Sequence, residues 1–105
     1  MYTKTYSSLN VQDLVHAIRS PQKREQNSSL NLTYIADSEI SNQGRMYVCH
    51  VLNATLVIQD TLNPEVFPQI TITGDSTSDV RDAKRTLEIF VECSAKRKLI
   101  LEETK

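Results

Sequence analysis

The chain has 105 residues, 39% of them hydrophobic and 24% charged, which bounds it to one folded domain and excludes the low-hydrophobicity, high-charge signature of disorder. A formal net charge of -1 supplies no strong field toward nucleic acid. The longest apolar runs, such as Ala54 to Ile58, are too short to span a bilayer or to form a secretory signal, so a cytoplasmic (or nuclear) protein without a membrane partner is expected.

Met1 to Ser8 has no period and reads, with Leu9, as a flexible lead-in (1–9). Asn10 reads as the N-cap of a first helix, with Asp13 favourably placed in its first turn. Val11, Leu14, Val15 and Ile18 form the apolar stripe of that helix, which Ser20-Pro21 should stop. Gln22 to Ser29 is polar throughout and reads as a loop. Leu30 to Ala36 alternates with a period near two and predicts a first strand. Ser41-Asn42-Gln43-Gly44 is the expected reversal into a second strand, Met46 to Leu52, prolonged toward Ile58. Asn63-Pro64 and Phe67-Pro68 make Gln59 to Gln69 an expected loop, since proline cannot donate to a ladder. Gln69 to Thr73 predicts a third strand. Ser76, Thr77 or Ser78 then caps a long helix with an apolar face at Val80, Ala83, Leu87, Phe90, Val91 and Ser94. Leu99 to Leu101 reads as a further helical turn or an apolar tail (99–105).

The order helix, three strands, helix is that of the double-stranded-RNA-binding domain. Three stretches resemble that family: Val11 to Ile18, Leu32 to Ile35 followed by Tyr47 to Val51, and Gly74-Asp75-Ser76 leading into Asp79 to Lys84. Over residues 10–98 the resemblance implies an α+β fold of α-β-β-β-α order, in which both helices pack on one face of a three-stranded antiparallel sheet. A KH-like domain is the rival, because Ile70 to Gly74 with Val80, Ala83 and Lys84 also resembles its last strand and helix. KH domains, however, need a GxxG loop, and the two glycines of this chain, Gly44 and Gly74, stand far apart.

Duplex RNA is read by shape, through phosphates and sugar hydroxyls, so a binder in this family needs cations at fixed places. Arg81, Lys84, Arg85, Lys96, Arg97 and Lys98 supply half of the 12 Lys and Arg residues. The family's lysine-rich helix start is here Val80-Arg81-Asp82-Ala83-Lys84, with Val80 in place of one lysine and with Asp75, Asp79 and Asp82 opposing a phosphate. The hairpin turn from Ile40 to Arg45 lacks the family's proline and histidine. The candidate RNA contacts are therefore Gln12 and His16 on the first helix, Arg45 after the turn, and Arg81, Lys84 and Arg85, and they imply a weak duplex binder. Family members that have lost these lysines act in dimerisation or in docking to an RNA-processing partner such as a Dicer-like nuclease. The chain resembles them, which implies a protein partner or a homodimer.

In such domains the third strand is the sheet edge. Gln69, Ile70, Thr71, Ile72 and Thr73 contain no Lys, Glu or Pro to block pairing and are the candidate protein interface. No catalytic constellation stands out, so no enzyme is expected. Cys49 and Cys93 form no CxxC pair and have no zinc-type histidine spacing, so no metal or other cofactor is expected. The sequons at Asn27, Asn31 and Asn53 read as chance matches in a chain without a secretory signal.

Overall fold

The computed structural model describes residues 1–39, 44–61, 65 and 67–103. Its elements run β1 (Tyr2–Ser8), α1 (Val11–Arg19), α2 (Pro21–Gln26), β2 (Leu32–Glu39), β3 (Gly44–Val51), β4 (Ala54–Thr61), β5 (Gln69–Gly74), α3 (Thr77–Ala95) and β6 (Leu101–Glu103), with a single 3-10 turn at Ser28–Leu30. The strands form one antiparallel sheet in the order β2-β3-β4-β5-β1-β6. The expected α+β class stands. The α-β-β-β-α order with a three-stranded sheet and two helices is corrected to six strands and three helices among the described residues.

Alternate residues of the central strands enter one core: Tyr6, Tyr47, Cys49, Leu56, Ile58, Ile70 and Ile72 are buried together with Leu14 and Ile18 of α1 and Val80, Leu87 and Phe90 of α3. Tyr34 is half-buried and packs at the margin of this core, with the Arg24 guanidinium 5.8 Å from its ring centroid. On the opposite face Thr3 faces Thr73 at 3.2 Å and Thr5 faces Thr71 at 3.4 Å across the β1–β5 ladder, while Val48 pairs with Val57 across β3 and β4. One covered face and one wet face are the ordinary solution for an antiparallel sheet.

Both expected helices form, as α1 and α3. Ser76 caps α3, its hydroxyl accepting the Asp79 amide, and Lys96 ends it in the left-handed region. At α1 the expectation fails in one detail, since Asn10 sits at the N-cap without making a side-chain cap bond. The expected loop after α1 is instead α2: Ser20 closes α1 and then caps α2 by accepting the Lys23 amide, and Pro21, which has no N–H to leave unpaired, takes its first turn. Nothing in α2 is buried, so it carries no apolar stripe to read.

Strand two does not run on to Ile58. It reverses at Leu52-Asn53, so that Val51 pairs with Ala54 and β4 returns beside β3. Leu52 takes φ 54° there, a conformation that costs a non-glycine residue energy, and its amide is held by the Asn31 carbonyl at 3.2 Å. The expected reversal at Ser41 to Gln43 lies outside the described residues, as do positions 62–64 and 66 of the expected loop from Gln59 to Gln69, whose first residues Gln59 to Thr61 belong to β4 and whose last, Gln69, begins β5. Gly44 follows with φ +122°, and a Cβ there would collide with the Asp60 carbonyl oxygen.

Both termini are strands. The expected lead-in is β1, inserted between β5 and β6, and the expected tail contributes β6, anchored by buried Leu99.

Both cysteines are free thiols, Cys49 buried and Cys93 exposed. Burial pushes the Cys49 thiol up to about 12, so it stays protonated at neutral pH. One thiol per chain, Cys93, is therefore expected to react with a disulfide reagent in the native state and both after unfolding. Above pH ~9 the unfolded chain sheds the Cys49 proton while the folded chain retains it, so stability falls as pH rises from about 9 toward 12, which alkaline denaturation measures.

Candidate functional site

The residues proposed as a pairing edge are not at an edge. β5 is paired on one side with β4, Gln69 to Thr73 facing Gln59 to Thr55, and on the other with β1, Gln69 to Gly74 facing Ser7 to Tyr2. Ile70 and Ile72 are fully buried, and Gln69, Thr71 and Thr73 lie on the open face. β1 fills the ladder groups that the sequence reading left open, so a partner strand has no access to Gln69, Ile70, Thr71, Ile72 or Thr73.

The RNA candidates fall into two groups. Gln12 bonds Asp60, the register partner of Arg45, and Arg45 and Arg19 both reach the Asp37 carboxylate at 3.7 Å. His16 is exposed between Gln12 and Arg19 on the same face of α1. In this seam each arginine is answered by a carboxylate. Arg81, Lys84 and Arg85 lie on α3, whose Lys84 sits over Tyr6 of β1, four strands away from β2 in the sheet order. The two groups thus lie on different elements, toward different ends of the sheet order.

Two other surfaces take shape at the β1–β6 side. The first is apolar. The Ser8 amide donates to the Pro68 carbonyl at 3.0 Å, and Ser8 pairs with Leu101 in β6. One residue beyond each pair stand Phe67, Leu9 and Ile100, exposed by 59%, 61% and 45%, and among the described residues Met1 and Ile35 are the only other large hydrophobic side chains as exposed as Ile100. Asn10 fixes this corner: its Oδ1 accepts the Ile100 amide at 2.9 Å, and its Nδ2 donates to the Lys98 carbonyl at 2.8 Å and to Asp13 at 3.2 Å. The exposed run Lys96, Arg97 and Lys98 therefore borders the apolar group, with exposed Glu102 in β6.

The second is a cleft of about 290 Å³ between β1, the end of β6 and the first turns of α3. Tyr2, Lys4 and Tyr6 of β1 meet Thr77, Val80, Arg81 and Lys84 of α3, with Glu103 at the rim. Alternation along β1 brings its three residues to the helix-covered side, and helical spacing does the same for those of α3. Lys4 pairs with Glu103 at 2.7 Å, which raises the lysine's pKa, while the Lys84 ammonium lies 5.4 Å from the Tyr6 ring centroid. Desolvation raises the Tyr6 phenol, partly opposed by Lys4, so it is a neutral hydrogen-bonding group at neutral pH.

Among the described residues no cluster of three His, Cys, Asp or Glu side chains is placed to hold a metal, and no helix is long and apolar enough to cross a membrane. Sequence reasoning found Arg81 and Lys84 of the cleft but not Tyr2, Lys4, Tyr6 or Glu103. The available signal was composition rather than period, since Tyr2 to Tyr6 is rich in strand-favouring Tyr and Thr. Compared with known proteins, the chain matches no family model, no curated protein and no solved structure.

Proposed function

We propose that the chain is a non-enzymatic protein-interaction module that docks through Leu9, Phe67 and Ile100, flanked by Lys96, Arg97 and Lys98. The observation that carries this reading is the placement of three large exposed hydrophobic residues at adjoining strand ends beside a basic run. Exposed apolar groups gathered in this way and rimmed by charge mark contact sites, whereas single ones do not. The basic rim selects the partner. A two-fold contact between copies would set one Lys96 to Lys98 run near another, and like charges across an interface are unfavourable. A partner segment that alternates apolar side chains with carboxylates complements both features.

Selection of displayed random peptides against the full chain tests this, with counter-selection against the Leu9→Ser, Phe67→Ser, Ile100→Ser variant. Peptides rich in Leu, Ile or Phe beside Asp or Glu are expected to be enriched, and each should lose about tenfold or more in affinity for the variant, as loss of central anchors does. Peptides bound equally well by the variant, or enriched without carboxylates, would sink the assignment.

A further inference from the structure

We infer that the cleft between β1 and α3 is a binding site for a small organic phosphate monoester. Among the lining side chains Lys4, Arg81 and Lys84 stand against Glu103, an excess of two positive charges in the lining itself, with Asp82 beside Arg81 but outside it. A phosphate monoester near neutral pH carries roughly -1.5 to -2, which matches that excess, whereas a carboxylate carries half of it. Lys4 is engaged by Glu103, so Arg81 and Lys84 are the pair that meets the phosphate. The nearest carboxylate to Arg81 is Asp82 at 3.8 Å, with both side chains largely exposed, a pairing that competes weakly with a dianion. The planar Arg81 fork suits phosphate oxygens, and the Tyr6 ring beneath Lys84 holds that ammonium at the cleft.

The organic part of the ligand is set by what remains. Val80 and the rings of Tyr2 and Tyr6 offer apolar walls, and the Thr77 and tyrosine hydroxyls offer hydrogen bonds. About 290 Å³ lies at the small end of ligand pockets, enough for a single-ring monoester. A duplex backbone would need further cations in line, and Gln12, His16 and Arg45 lie toward the other side of the sheet order. The cleft and the apolar corner use different side chains, so either assignment can fail without the other.

Calorimetric titration of the full chain with phenyl phosphate, phenol and benzoate decides the matter. Phenyl phosphate should bind saturably, benzoate at least tenfold more weakly, and phenol not measurably. Arg81→Gln with Lys84→Met should weaken phenyl phosphate at least tenfold, with circular dichroism unchanged because methionine keeps an apolar stem over Tyr6. Arg81→Gln alone, at a largely exposed side chain, should weaken it severalfold and serves if the double variant does not fold. Equal binding of phenyl phosphate and phenol, absence of phenyl phosphate binding at millimolar concentration, or unchanged binding in the variants would overturn the site. Benzoate binding as tightly as phenyl phosphate would overturn the phosphate assignment.

Discussion

Leu87→Ala is expected to lower folding stability by about 2 to 5 kcal/mol, because the side chain is removed from a position where the surrounding core cannot collapse to fill it. Leu87 lies mid-way along α3, fully buried, with Ala83, Phe90 and Val91 on the same face and the strand residues beneath. Against a total stability of roughly 5 to 15 kcal/mol for a domain of this kind, such a loss moves the thermal midpoint by ~10 °C or more. Ile89→Ala is the internal control: the same helix carries Ile89 with 41% of its surface exposed, and its truncation should stay within about 1 kcal/mol. Thermal or urea unfolding of the two variants measures both. An unchanged midpoint in Leu87→Ala would mean that α3 does not seat on the sheet, and the cleft that α3 helps to build would go with it.

That α3 was legible from the sequence and β1 was not has one physical cause. A helix that covers a sheet writes its burial as an apolar stripe, and α1 and α3 do so. β1 turns Tyr2, Lys4, Tyr6 and Ser8 toward the helices and Thr3, Thr5 and Ser7 toward water. Neither row is apolar throughout, because the inward row lines a polar cleft, and the contrast on which a period-two reading depends disappears. α2 is silent for the opposite reason, having no buried residue at all. The β3–β4 reversal is silent because Leu52-Asn53 carries none of the glycine that marks a two-residue turn.

These silences compounded. Without β1 the strand Gln69–Gly74 reads as an edge, and without the reversal β3 and β4 read as one strand, so six strands reduce to three and the order becomes that of the double-stranded-RNA-binding domain. The pattern that carried the resemblance is insensitive to strands at the termini, and in this chain the termini carry β1 and β6. Of the candidate site residues, Arg81 and Lys84 were visible because charge at a helix start is a local feature. Lys4 and Glu103 acquire meaning only when the two ends of the chain are brought together as neighbouring strands.

The same joining of the ends makes Asn10→Ala the second large effect expected. Among the described residues β6 has three, paired with Tyr6 to Ser8, so this ladder alone is a weak attachment. Leu99 adds apolar burial, and Asn10 adds a two-point clamp on the Lys98 carbonyl and the Ile100 amide. Removing the side chain forfeits both bonds at a cost of about 1 to 3 kcal/mol, concentrated on β6 rather than on the whole fold. Amide exchange at Ile100 and Leu101 should accelerate about tenfold or more, since ~1.4 kcal/mol corresponds to tenfold. Peptides selected on the apolar corner should weaken in parallel as Ile100 leaves it. Asn10→Ser separates this role from helix capping. Serine is as good an N-cap as asparagine, so if Asn10 served α1 the serine variant would match the parent. A serine hydroxyl is too short to span from the start of α1 to both Lys98 and Ile100, so the serine variant should exchange at β6 as fast as the alanine variant. Parent-like protection of Ile100 in Asn10→Ser would show that the attachment of β6 does not depend on the clamp.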